Sequence, residues 1–176
     1  METRSRGFID CARYFLGTQY RTQIRLAVEA LPDKDLWWRA NDQSNSVGNL
    51  LLHLNGNVRQ WILGGVGRQS NERHRAAEFA ARGGPPAAVL LADLDRTLDE
   101  VDRVLDGLTE PELLEPRTIQ GRTISVLDAI FHVVEHFSGH LGQIILLAKL
   151  RAPGAITFYE DAGGLASPVW EERVRR

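Results

Sequence analysis

From Ser125 to Leu150 the chain reads SVLDAIFHVVEHFSGHLGQIILLAKL, without a proline, and two rows of residues interleave along it. Ile130, Val134, Phe137, Leu141 and Ile144 fall near the 3.6-residue period of an apolar helix face. His132, His136 and His140 recur at every fourth position beside that face and hold three of the chain's five histidines. Such a helix cannot stand alone in water. Its ridge needs partner helices, and imidazoles placed at the edge of a core need partners for their nitrogens.

The rest of the chain offers those partners and little else. A first helix is expected from about Phe8 to Leu31, with Phe8, Ala12, Phe15, Ile24, Ala27, Val28 and Leu31 facing inward and Pro32 stopping it. A second begins at Ser46 and ends at Gly64-Gly65, on a ridge of Val47, Leu50, Leu51, Leu54, Val58, Trp61 and Ile62. A third opens after Pro85-Pro86 and runs to about Gly107, burying Val89, Leu90, Leu94, Leu98, Val101, Val104, Leu105 and Leu108. The stretch from Gly64 to Gly84, with NERHRAAEFAARG at its centre, is too long for a tight hairpin and suits a crossover along a bundle with room for one short helix. TEPELLEPRTIQGRT reads as an extended link, and the tail from about 152 to 176 as irregular chain that wraps the bundle or meets a second subunit. No segment shows sustained two-residue alternation, so the expected fold is all-α, one four-helix-bundle domain over 1–176.

Composition narrows the function. With 43% hydrophobic and 25% charged residues, the chain has the material for a single core. A net charge of -2 and a pI near 6.2 leave no uncompensated basic face for nucleic acid. Cys11 is the single cysteine, which excludes an internal disulfide and a CxxC metal site and fits a reducing compartment; as a small apolar residue of the first helix it is expected in the core. METRSRGFID lacks the apolar stretch of a signal peptide, and no run of about 18 uncharged apolar residues is present to span a membrane. The expectation is a cytoplasmic protein with a small-molecule partner. Trp37, Trp38 and Trp170, in linker and tail, suggest a covered surface and a homodimer.

Residues four apart on a helix lie about 6 Å apart along the axis and about 40° around it, so neighbouring imidazoles can converge on one ion. His132 and His140 are separated by about 12 Å of rise and cannot share one. One adjacent pair is therefore available, always including His136: either His136 with His140 or His132 with His136. A further ligand must come from another helix. On the second helix Asn49, His53, Asn57 and Gln60 form a polar strip beside the apolar ridge, and SVGNLLLH (46–53) repeats the serine cap and the later histidine of SVLDAIFH (125–132). If the two strips face each other, His53, His136 and His140 make a three-nitrogen site with positions left for water or substrate. Asn49, Asn57, Gln143 and His132 are then candidates to support the ligands or to line a substrate pocket. Without an ion, Asn49, Asn57, Gln60 and Gln143 would pair with the imidazoles.

These two segments, SVGNLLLHLNGNVRQWI and HVVEHFSGHLGQI, resemble the DinB/YfiT-like superfamily of metal-binding four-helix bundles over roughly residues 8–150. The resemblance implies an up-down-down-up bundle with a long crossover between the second and third helices. It implies ligation by His53 together with His136 and His140, the pair followed by Gly142 and Gln143. It also implies a divalent ion, zinc or nickel, that activates a low-molecular-weight thiol for transfer to an electrophile, as in thiol S-transferases and a thiol-dependent maleylpyruvate isomerase of that superfamily. The alternative expectation is a noncatalytic, stress-associated module in which the ion only stabilises the bundle.

Overall fold

A computed structural model describes residues 4–170 as a mostly helical structure with two small antiparallel sheets. The first rod begins as α1 (Arg4–Tyr14), widens into a π-helical turn over Phe15–Tyr20 and resumes as α2 (Arg21–Glu29). The buried residues Ala12, Leu16, Tyr20 and Ile24 explain the turn, being four apart. A four-residue row drifts about 40° per step around an α-helix, so three steps accumulate about 120°, close to the ~100° absorbed by one extra residue. Phe8 and Phe15, expected in the core, are only half-buried, since Ile9 and Leu16 occupy that face. Cys11, also expected in the core, is exposed; its neighbour Ala12 points inward instead.

The second rod follows the same rule. α3 (Val47–Val58) passes into π-helical turns over Arg59–Val66, and its buried row is Leu50, Leu54, Val58, Ile62 and Val66. Ser46 caps α3 by accepting a hydrogen bond from the Asn49 backbone N–H, while the Asn49 side chain accepts from the Ser46 N–H. The connection that follows holds the short helix α4 (Arg75–Ala80), then α5 (Ala87–Asp106) forms the third rod. On α5, Leu91 is buried and Val89 is exposed, one helical step away from the face the spacing suggested.

The stretch read as an extended link is a hairpin. β1 (Pro116–Ile119) pairs with β2 (Arg122–Ser125) across a two-residue turn in which Gln120 and Gly121 have φ of 51° and 75°. Positive φ at both positions is the turn that matches strand twist. Ser125 then caps α6 (Val126–Arg151), with Asp128 completing the reciprocal pair, so the two histidine-bearing helices begin by the same device. Beyond α6 the tail is not irregular: β3 (Tyr159–Ala162) and β4 (Leu165–Pro168) form a second hairpin closed by Gly163-Gly164. Phe158 and Trp170 at its base are buried against the core; residues 171–176 lie outside the described part.

α3 packs on α4, α5 and α6, while α1 and α2 pack on α5 and α6, so the four rods enclose one continuous core. Leu54, Ile62, Leu98, Leu105, Ile130 and Phe137 are among its fully buried side chains. A ladder of ion pairs sets the register of the first rod on α5: Arg6 and Arg13 reach Asp106, Arg13 also takes Asp102, and Arg21 takes Asp95 and Asp99. Arg151 at the end of α6 donates twice to the buried Asp35, anchoring the first linker. Its guanidinium also lies 4.7 Å from the centre of the Trp38 ring. Trp37 packs on Gly48 and Gly84, and Trp170 on Tyr159. The three tryptophans thus have contacts within the chain, Trp170 buried and Trp37 and Trp38 half-buried.

Candidate metal centre

The caps place His53 on the second full turn of α3 and His132, His136 and His140 along α6, on helices that pack together. His53, His136 and His140 each bring a ring nitrogen to within 4.8 Å of the others. His53 Nε2 and His136 Nε2 are 2.9 Å apart. Two nitrogens on one ion at about 2.0–2.1 Å are separated by about 3.4 Å in a tetrahedral site and about 3 Å at a right angle, so the closest pair already has the spacing of shared ligation.

The outer nitrogens show which atoms are available. His53 Nδ1 lies 2.9 Å from Glu78 Oε2. Burial opposes ionisation of Glu78, but hydrogen bonds from Arg73 and His53 outweigh it and hold the carboxyl below its ordinary range. Arg73 Nη2 also lies 3.1 Å from Nδ1 but donates to Glu78 Oε2 at the shorter 2.8 Å. Since an ionised carboxylate only accepts, Nδ1 is the donor of the 2.9 Å contact with Glu78, which leaves the lone pair on Nε2. His140 Nδ1 likewise donates to Gln143 Oε1 at 3.1 Å, so Nε2 is the nitrogen that remains for a ligand. Burial, followed by the neighbouring histidines and Arg73, holds His136 at about 3. Burial lowers His53 as well, against the opposing pull of Glu78. Imidazole nitrogens converging on one point, with His53 and His136 held neutral by burial, are the donors a divalent ion takes once it replaces the proton shared between His53 Nε2 and His136 Nε2, so the donor set fits such an ion.

Glu78 and Arg73 were not among the residues singled out from sequence. Arg73 clamps the carboxylate, Nε to Oε1 at 2.7 Å and Nη2 to Oε2 at 2.8 Å, and its Nη1 donates to Gln60 Oε1 at 3.0 Å. The Arg73 and Glu78 side chains are only 4% and 11% exposed, an ion pair inside the protein. Phe79 stacks on the His53 ring at 4.5 Å between centroids. Gln120, at the tip of the β1–β2 hairpin, also donates to Gln60 Oε1, which brings that hairpin to the rim.

The remaining candidates separate. Asn49 is fully buried but serves the chain: its Nδ2 donates to the carbonyls of Glu78 and Ala81, and its Oδ1 accepts from Ser46 and Arg39. It holds the α4 segment over His53 from behind. Asn57, one turn beyond His53, is buried with no hydrogen-bond partner for Oδ1 among the described residues, and the same is true of Trp61 Nε1 one turn further. His132 stands outside the trio. Its ring packs on Trp61 at 4.2 Å, it is 5.4 Å from the ring of His136, and burial lowers its pKa against the pull of Glu135. His74 is exposed.

Residues 3–155 match the model of a family described as protein of unknown function DUF1572. The chain belongs to this family. The match takes in all four rods and all the residues of the centre. Comparison with curated proteins found no match. No helix among the described residues is long and apolar enough to cross a membrane.

Proposed function

We propose that this DUF1572 protein is a DinB-like four-helix bundle, up-down-down-up with its crossover over residues 67–86, that binds a divalent ion through His53, His136 and His140. The proposed role is transfer of a low-molecular-weight thiol to an electrophilic small molecule in the cytoplasm. The observation that carries the reading is the convergence of three imidazole nitrogens from two helices, two of them with Nδ1 already committed as a donor. Imidazole ligands suit zinc or nickel, and the ion would lower the pKa of a bound thiol so that the thiolate is present at neutral pH.

The chain's own residues would do the rest. His53 and His140 would have Nδ1 engaged by Glu78 and Gln143, which leaves Nε2 of each to meet the ion. The Arg73–Glu78 pair is neutral as a unit, and imidazole ligands would leave the charge of a divalent ion uncompensated, so an anionic ligand would be favoured over a neutral one. Asn57 Oδ1 and Trp61 Nε1, both buried without partners among the described residues, would supply an acceptor and, beside His132, a donor for polar atoms of a substrate. No protein nucleophile is needed, in keeping with a cysteine exposed on α1.

The test is elemental analysis of protein purified without chelator or histidine tag, beside a His136→Ala variant, followed by a thiol-consumption assay with monochlorobimane across a panel of small thiols. About one divalent ion per chain, lost in the variant, with consumption faster than in a protein-free control, is the expected result. An ion without thiol consumption would leave the noncatalytic module; no ion in the wild type would defeat both.

A further inference from the structure

A buried ion pair is weak evidence for stability, because desolvating both charges offsets most of their attraction. Arg73 and Glu78 are nonetheless buried together, and both carboxylate oxygens are taken by the arginine fork. The one further contact of the carboxylate with a side chain of the centre is Oε2 with His53 Nδ1. The nitrogens that converge belong to His53, His136 and His140 and the carboxylate is not among them, so Glu78 acts through the imidazole. A carboxylate on the outer nitrogen of a ligating histidine fixes the ring's tautomer and orientation and raises its basicity.

The helix beneath is shaped to admit it. Gly56 lies three residues after His53 in α3, where glycine costs helix stability. A Cβ at that position would fall 2.2 Å from Glu78 Oε1 and 3.0 Å from Arg73 Nε. The neighbours it would strike are the ends of two flexible side chains, not backbone, so a methyl group there displaces the carboxylate and leaves the helix intact.

We infer that Glu78, clamped by Arg73 and admitted by Gly56, is the positioning residue that presents His53 Nε2 to a bound divalent ion. This rests on the metal reading proposed above. The α4 segment is thereby part of the metal centre: its backbone is tied down by Asn49 and Arg39, and its one acid in the centre reaches the ligand supplied by α3.

The experiment compares wild type, Glu78→Gln, Gly56→Ala and the double variant. Zinc dissociation constants are measured by competition with a chromophoric chelator, together with the ligand-field absorption of the cobalt(II) forms and the melting of the metal-free proteins. Each single variant is expected to weaken zinc binding about 10–100-fold and to alter the cobalt spectrum. The double variant should be no worse than the weaker-binding single, because both changes break one contact. Metal-free Gly56→Ala should melt no lower than wild type, separating lost positioning from lost folding. Unchanged zinc affinity in both single variants, or losses that multiply in the double, would overturn the inference while leaving the three-histidine site standing. A wild type that binds no zinc or cobalt would bring down the metal reading itself and this inference with it.

Discussion

Lowering the pH should destabilise the metal-free protein well before its carboxylates begin to protonate. His136 is held at about 3, chiefly by burial, against an ordinary value of 6.5. Between those values the unfolded chain binds a proton that the folded chain refuses, so stability is complete above pH 6.5 and falls as the pH drops toward 3. Each pH unit in the window is worth about 1.4 kcal/mol per proton. From pH 6.5 to 5.0 the His136 contribution would be about 2 kcal/mol, reduced to about 1–2 kcal/mol by solvent access to the half-buried ring. His53 and His132 are lowered in the same direction, chiefly by burial, and add to the slope. Stopping at pH 5.0 keeps the experiment clear of carboxylates such as Asp106 and Glu112, whose pKa values hydrogen bonds hold low. The assay is urea unfolding in the presence of chelator at pH 7.5 and 5.0 for wild type and His136→Gln. The variant lacks the titrating group, so its loss between the two pH values should be smaller by about 1–2 kcal/mol. Equal losses would refute the claim that the interior refuses this proton.

Removing the ion at neutral pH is a separate perturbation: at about 1,000-fold excess over its dissociation constant an ion contributes about 4 kcal/mol, so chelation should lower the melting temperature by ~8–16 °C in differential scanning. Phe137→Ala, at a fully buried position beside His136, should cost about 3–5 kcal/mol in chemical unfolding, whereas Phe131→Ala, 61% exposed, should stay within about 0.5 kcal/mol. Gly48→Ala would set a Cβ 2.8 Å from the Trp37 ring; the overpacking should cost about 1–3 kcal/mol with metal content unchanged. Asn49→Ala leaves the Ser46 cap but removes the side chain that accepts from the Ser46 N–H, together with the two Asn49 ties to the α4 segment. Limited proteolysis should then cut within residues 67–86, and an unaltered digestion pattern would show that Asn49 does not hold that segment.

How far the sequence discloses this structure depends on the range of each interaction. Ser46 with Asn49, and Ser125 with Asp128, are local pairs three residues apart, and the starts of α3 and α6 follow from them. The apolar rows of α3 and α6 are equally local. The β1–β2 hairpin is harder to see because its strands have four residues each, too few for alternation to register. Its one signal was the Gln-Gly pair between two copies of Arg-Thr-Ile. Arg73 and Glu78 had no periodic signal at all. They lie in a charged stretch whose short helix, α4, has no apolar face in the core, and their side chains are enclosed only when that stretch crosses α3. The trace they left is on the other partner, in Gly56, a glycine inside a strong helix, which marks the close approach of another group.

The row of three histidines is resolved by what the facing helix presents to each turn. His53 meets both His136 and His140, at 5.0 and 4.9 Å between ring centroids, while Trp61, two turns beyond His53, meets His132 at 4.2 Å. Residue numbers rise along α3 as they fall along α6, so the two helices run in opposite directions here and their polar rows are matched turn for turn. Opposite His136 and His140 stands an imidazole whose outer nitrogen is anchored to a carboxylate, which leaves a lone pair to share. Opposite His132 stands an indole, whose ring nitrogen can only donate and can hold no cation. Spacing along α6 alone therefore leaves two equivalent pairs, His132 with His136 or His136 with His140. What distinguishes them is the second rod, where His53 of α3 precedes Trp61 of the π-helical turns, and α4, where Glu78 reaches the histidine end of the row.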